Sequence, residues 1–331
     1  MKYIICKTND PEYNLAFEEY CFKNLPVDKD EFFYFWINEP SIIVGKNQNV
    51  HAEVNLDYIK ENQIKVVRRI TGGGAVYHDL NNINYSHISK SKGAKKLDFK
   101  NYYQLIVDAL NNMGINAELS GRNDITVDGL KIAGSSQSIW KDRVLSNCCI
   151  LYNVDLEELS KALNVRPEKL TSKGVKSVRA RVTNIKPLIN IDLSTVEFLN
   201  KLQKEIFNNL NIKGEEYILS PEELKGVDEI YKNRFSSRQW NYGKVHNTKY
   251  YKYKRFPIGF VELFFDLEDE KVKNLKIMGD FFGTKDVSEL ENLLEDSNYD
   301  NEEFLKRLKN VNLADYFGEI SEEEFSELFF Q

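Results

Sequence analysis

Arg68-Arg-Ile-Thr-Gly-Gly-Gly-Ala-Val-Tyr-His-Asp79 forms a polar, glycine-rich clasp between two strand-like runs, and the 331-residue chain reads outward from it. Gly72, Gly73 and Gly74 carry no Cβ, so their backbone can take positive φ, approach a ligand closely and turn several N–H groups on one anion. Arg68 and Arg69 add cationic donors just before it, and Ala75, Val76 and Tyr77 resume an extended pattern. The plain alternative is a glycine-rich hairpin turn. A dinucleotide fingerprint would need glycine where Tyr77 stands, inside a strand-like run, which excludes a Rossmann motif. No Gly-x-x-x-x-Gly-Lys-Ser/Thr occurs, which argues against a P-loop.

Residues 65–70 read as the strand entering the clasp and 84–88 as the strand leaving it. Upstream, 32–37 and 41–45 are aromatic or β-branched runs separated by Asn38-Glu39-Pro40, which reads as two strands and a turn, preceded by a packing helix over 11–25 opened by Pro11. Several strands thus precede the next helix, over 98–113, which favours an antiparallel or mixed sheet over strict βαβ winding. Downstream, Asp128-Gly129 between apolar strand residues is a two-residue hairpin signal. Such a hairpin brings Asn123 and Asp124 on one strand near Lys131 on the other, so an amide, a carboxylate and an ammonium converge at one sheet end. A lysine merely solvated beside a turn is the bland reading.

Residues 146–153 form another strand containing Cys148 and Cys149, whose default role is core packing. Capping pairs Ser194-x-x-Glu197 and Ser220-x-x-Glu223 open two further helices. The polar, basic segment 244–255 reads as a domain boundary, and beyond it two strands and three helices starting near 286, 300 and 321 make a small α+β domain. Composition bounds the function classes. A hydrophobic fraction of 42% with 29% charged residues suits a soluble enzyme, and a net charge of −6 argues against a nucleic-acid binder, despite basic runs at 173–181 and 249–255. Four cysteines without Cys-x-x-Cys spacing indicate neither zinc nor disulfides and fit a reducing cytosol. A signal peptide and a membrane span are not expected.

Four motifs, Arg68 to Asp79, Gly121-Arg-Asn-Asp124, Lys131-Ile-Ala-Gly-Ser135 and Ser177-Val-Arg-Ala-Arg-Val-Thr-Asn184, closely resemble in order and spacing those of the lipoate-protein ligases. Trp240-Asn-Tyr-Gly243 and Gly279-Asp-Phe-Phe-Gly283 resemble that family's accessory C-terminal domain. The resemblance implies an α+β fold shared with biotin-protein ligases, a mixed sheet flanked by helices. It assigns residues 1–246 to a catalytic domain for adenylation and transfer and 247–331 to the accessory domain. It implies ATP and Mg2+ as cofactors, lipoate as substrate, and as partners the lipoyl carrier domains of a 2-oxoacid dehydrogenase acyltransferase subunit or a glycine-cleavage carrier protein. Lipoate would be converted to lipoyl-AMP with release of pyrophosphate, and a carrier lysine would then expel AMP.

By the same resemblance Lys131 is catalytic, holding acyl carbonyl and phosphate. Arg69, Gly72, Gly73, Gly74, Ala75, Val76, Tyr77, Asn123 and Asp124 would contact the nucleotide, with Asp124 on the magnesium ion. Arg69, Thr71, Gly74, Val76, His78, Ser136 and Asn147 would join Lys131 around the substrate, with Ile42 and Trp36 as further tunnel candidates. One departure stands out. Many relatives have His-Gly-Thr or His-Gly-Ser where this chain has Ser146-Asn-Cys-Cys149, so Asn147 replaces a histidine. The paired thiols admit a rival of the same fold, a cysteine-dependent octanoyltransferase; a second rival within the fold is a transferase that accepts preformed lipoyl-AMP but cannot make it.

Overall fold

The computed structural model describes residues 1–94, 96–121, 123–164, 181–243 and 247–330. Its first part runs β1 (Lys2–Ile5), α1 (Pro11–Asn24), β2 (Phe32–Trp36), β3 (Ser41–Val44), α2 (Val50–Glu53), α3 (Leu56–Glu61), β4 (Lys65–Arg68), β5 (Val76–His78), β6 (Asn82–Lys90) and α4 (Phe99–Asn112). It continues through β7 (Glu118–Ser120), β8 (Asp124–Val127), β9 (Leu130–Trp140), β10 (Arg143–Leu151), α5 (Leu156–Ala162), α6 (Thr195–Asn209), β11 (Glu215–Glu216), α7 (Pro221–Ile230) and α8 (Arg238–Tyr242). The helix starts follow their caps: Asp98 accepts from Asn101 N, and both capping boxes, at Ser194 and Ser220, are formed.

Eight strands form one mixed sheet in the order β11-β1-β2-β6-β10-β9-β8-β7, parallel at β11-β1-β2 and antiparallel elsewhere. All five residues of β2 are buried because both faces are covered. Phe33 and Phe35 pack with Ile106 of α4 and Phe198 of α6, while Phe32, Tyr34 and Trp36 pack with Leu15 and Phe22 of α1 and Val227 of α7. A second sheet, β4-β3-β5, lies over the α1 side: Ile43 and Val67 join that core, and Ile42, Val66 and Tyr77 turn outward against Ile59 of α3 and Leu159 of α5.

The two strands expected over 32–37 and 41–45 are present as β2 and β3 but do not pair with each other: β2 pairs with β1 and β6 while β3 pairs with β4 and β5; apolar patterning marks a strand without naming its partner. Nor is the clasp a hairpin turn, because β3 lies between β4 and β5 and the glycine loop crosses its end.

The C-terminal part is a meander of β12 (Tyr250–Phe256), β13 (Gly259–Glu268) and β14 (Lys271–Gly279) packed by α9 (Ser288–Leu294), α10 (Asn301–Leu308), α11 (Ala314–Phe317) and α12 (Glu322–Phe330). The polar segment read as a boundary contains β12, an edge strand whose lysines and tyrosines alternate instead of running apolar. The short α11 also escaped the sequence reading. Trp240 and Asn241 belong with the first part, not the accessory one: Trp240 Nε1 donates to Arg68 O (2.8 Å) and Arg68 N donates to Asn241 Oδ1 (3.1 Å). Among the described residues no helix is long and apolar enough to cross a membrane.

Candidate active site

The Asp128-Gly129 turn has positive φ at both residues, +51° and +75°, as a two-residue type I′ hairpin requires. A register shift between Ile125 and Thr126 then sets Lys131 so that its Nζ lies 2.7 Å from Asp124 Oδ1. A Cβ at position 134 would sit 2.9 Å from that Nζ, so Gly134 makes room for the lysine. The lysine backbone is fixed on its outer side, where Lys131 N donates to Arg181 O and Thr183 N donates to Lys131 O. Of the motif read over 177–184, residues 181–184 carry this pairing, and 177–180 lie outside the described residues, as does most of the basic run at 173–181.

The clasp is held from beneath by its own arginine. Arg69 is buried, and its guanidinium donates to Thr71 Oγ1 (3.0 Å), Ile43 O (3.1 Å), Gly72 O (2.7 Å) and Gly74 O (2.8 Å). Burial lowers its pKa to about 10, which leaves it cationic at neutral pH. Arg68, read as an anion donor, is engaged elsewhere: its guanidinium donates to the carbonyls of Gly45, Lys46, Gln48 and Trp240. Gly73 has φ +91°, and a Cβ there would meet the Phe282 ring at 2.6 Å. Phe282 therefore closes over the clasp from the C-terminal part. Gly73 N donates to Phe281 O (3.3 Å), Gly279 N to Asn47 O (2.8 Å), and Lys46 pairs with Asp286 at 2.7 Å.

Two cavities meet at Lys131. The narrower, about 130 Å³, is walled by Leu15, Trp36, Ile43, Val76 and Phe282, and carries Arg69, Gly73, Gly74, Ala75, His78, Asn123, Ser136 and Asn147. The wider, about 410 Å³, is more polar and is lined by Gly74, Ala75, Asp124, Thr126 and Arg181. Gly74, Ala75 and Lys131 line both. The structure thus brings most of the expected residues together. Tyr77 and Ile42 are outside both cavities, and strand alternation explains it: Val76, His78 and Ile43 face the tunnel, so their neighbours face α3 and α5. Gly72 lies under the Phe281 carbonyl, facing the cleft between the two parts. Thr71 is buried behind the wall, with its Oγ1 2.9 Å from Ser136 Oγ.

A residue the sequence reading treated as packing enters the tunnel from α1. Glu18 is buried, and its Oε1 accepts from Ser86 Oγ and from Asn147 Nδ2. Burial pushes its pKa up to about 7. Trp36 Nε1 donates to Ser86 Oγ (3.2 Å), and Ser136 Oγ donates to Asn147 Oδ1 (3.4 Å). A line of hydrogen bonds therefore crosses the tunnel wall from Arg69 through Thr71, Ser136, Asn147 and Glu18 to Ser86 and Trp36. The available signal was an acid pair, Glu18-Glu19, set among the apolar Leu15, Ala16, Phe17, Cys21 and Phe22 of α1. Asn84 and Phe282 also line the tunnel unforeseen.

The thiols are poorly suited to nucleophilic work. Cys149 faces the tunnel and Cys148 packs into the core beneath, and burial raises both pKa values, Cys149 to about 11 and Cys148 further. A thiolate is thereby disfavoured at neutral pH. Acyl transfer by Cys149→Ser is expected to stay within a few-fold of wild type, measured as carrier modified per unit time; loss of all turnover would restore the thioester route.

The Lipoyl protein ligase A/B catalytic domain family matches residues 10–207, and the Bacterial lipoate protein ligase C-terminus family matches 246–329. The chain is 42% identical to the lipoate-protein ligase LplJ of Bacillus subtilis, covering 97% of each chain, and 43% identical to lipoate-protein ligase 1 of Staphylococcus aureus, covering 96% of each. Among solved structures, LipL1 of P. falciparum in complex with lipoate superposes with a TM-score of 0.77 at 28% identity, covering 94% of each chain. A lipoate-protein ligase A bound with ATP superposes with a TM-score of 0.64 at 27% identity, over 74% of this chain and 99% of that one. With the two domain families in order and full-length relatives above 40% identity, the chain belongs to the lipoate-protein ligase family.

Proposed function

We propose that the chain is an ATP-dependent lipoate-protein ligase that activates lipoate as lipoyl-AMP and transfers the lipoyl group to a lysine of a lipoyl carrier domain. The observation that carries this reading is Lys131 on the shared wall of a narrow, largely apolar tunnel and a wide polar cavity. A medium-length acyl chain suits the first and a nucleotide the second, so carboxylate and α-phosphate would meet at the lysine. In the first step a carboxylate oxygen attacks the α-phosphorus and the bond to the β-phosphate oxygen breaks, releasing pyrophosphate. In the second an amine nitrogen attacks the acyl carbon, the carbon–oxygen bond to the phosphate breaks, AMP leaves, and the nitrogen loses a proton. Negative charge grows first on the α-phosphate and then on the acyl oxygen, and one ammonium between the cavities offsets both.

Asp124 faces the wide cavity and is the carboxylate best placed to hold a magnesium ion, which takes one or two carboxylates with phosphate oxygens and water. Bound there, magnesium would neutralise phosphate charge. Activation and transfer are assigned to residues 1–246 and an accessory role to 247–331. The carrier would be the acyltransferase subunit of a 2-oxoacid dehydrogenase or the glycine-cleavage carrier; a bi-partite lipoate protein ligase of Thermoplasma acidophilum has been analysed structurally with its E2 lipoyl domain.

The test is the intact mass of each carrier domain after incubation with this protein, lipoate and magnesium-ATP, with and without ATP. ATP-dependent gain of one lipoyl group is expected. Modification only when lipoyl-AMP is supplied would make the chain a transferase. A second expected outcome concerns water: Phe282→Ala opens the tunnel wall, so pyrophosphate released per carrier modified should rise several-fold as the adenylate hydrolyses. An unchanged ratio would remove Phe282 from that role.

A further inference from the structure

The tunnel has a chemical direction. Its wall follows the large sheet from β8 and β9, where Asn123 and Lys131 stand, across β10 and β6 to Trp36 on β2. From Lys131 on β9 to Trp36 on β2 that is three strand spacings, roughly 14 Å. If the carboxylate end lies at Lys131, as the proposed function requires, the far end of the acyl chain comes to rest beside Trp36 and Glu18.

That far end is not apolar. Glu18 Oε1 holds both of the residue's hydrogen bonds, and Oε2 has no partner among the described residues. His78 is neutral, its pKa pulled down to about 3 by burial and by Arg69. Its tautomer follows from its neighbours. Asn14 Nδ2 donates to Asn38 Oδ1 (2.9 Å), which leaves Asn38 Nδ2 to donate to His78 Nδ1 (3.1 Å) and puts the ring proton on Nε2. Among the described residues His78 Nε2 and Asn84 Nδ2 are both buried without a partner, and both residues line the tunnel. Asn84 is the cross-strand neighbour of Trp36, and His78 meets the Trp36 ring edge-on.

We propose that Glu18, His78 and Asn84 form a polar seat for the sulfur-bearing ring of the substrate, making the enzyme selective for a cyclic disulfide over a plain saturated chain of the same length. A terminal methyl group would leave buried donors unsatisfied. Two ring sulfurs, polarisable and weakly accepting, take hydrogen bonds from His78 Nε2–H, from the Asn84 amide and from the O–H of protonated Glu18. The burial that raises the Glu18 pKa keeps that proton available near neutrality.

The test compares kcat/KM for lipoate and octanoate, with magnesium-ATP and a carrier domain, in wild type, Glu18→Leu and Glu18→Gln, with thermal unfolding as a control on folding. Glu18→Leu should lower the lipoate-to-octanoate ratio by tenfold or more. Glu18→Gln replaces the O–H by an amide N–H that does not titrate, so it should keep the preference and hold it constant between pH 6 and 8, whereas the wild-type ratio should fall over that range. The other charged or titratable groups acting on Glu18 are Arg69, which stays charged throughout, Glu19, paired with Lys23 and Arg234, and the buried Cys21 and Tyr34, whose pKa values burial raises so that both stay neutral. Equal loss with both acids, or an unchanged ratio in both variants, would overturn the seat while leaving the ligase standing. Failure of the wild type to ligate either acid would overturn the proposed function and the seat with it.

Discussion

Lys131→Ala is expected to reduce pyrophosphate release by about 10²–10³-fold, the usual cost of removing one preorganised donor from developing charge. The fold should be unaffected. Lys131 is only partly buried, its ion pair with Asp124 is partly solvated, and its backbone hydrogen bonds to Arg181 and Thr183 do not involve the side chain. Supplying synthetic lipoyl-AMP separates the two half-reactions. If the ammonium serves both, transfer from the adenylate falls as well, because the acyl oxygen loses the same donor. Normal pyrophosphate release by a folded Lys131→Ala enzyme would refute the assignment.

Arg69→Ala should have the largest effect on stability. Removing the guanidinium takes a donor from the carbonyls of Gly72 and Gly74, at about 1–3 kcal/mol for each one that water cannot reach, while Ile43 keeps its strand pairing with Val76. A loss of at least roughly 2 kcal/mol follows, read as a lower denaturant midpoint. Arg69→Lys should recover little, because an ammonium on a single stem cannot span the fork that bridges Gly72 O and Gly74 O. Activity should fall further than stability explains, because the clasp that both cavities share would lose its shape. A variant with wild-type stability and normal nucleotide affinity would show that the clasp holds itself.

The contrast between these two residues marks what the sequence made legible. Lys131 could be placed because Asp128-Gly129 fixes a hairpin by local geometry, and local geometry is written in adjacent letters. Arg69 reads as a ligand donor, although four of its hydrogen bonds go to protein oxygens, three of them on the backbone. A basic residue beside glycines looks the same whether it binds an anion or shapes the loop that does. Ile42 was chosen over Ile43 because two adjacent isoleucines carry no mark of which one faces inward; the pairing of β3 between β4 and β5 decides it. Glu18 was hidden more deeply, since its surroundings come from β6 and β10, 68 and 129 residues away along the chain.

Phe282 comes from the last fifth of the chain, yet it presses on a glycine loop completed near residue 75. During synthesis the tunnel would therefore stay unsealed long after Lys131 and the clasp have left the ribosome. A chain that stopped short of the meander would have its catalytic lysine in place and an open side to its tunnel. Any adenylate made there would be exposed to water, so truncation products would drain ATP without modifying a carrier.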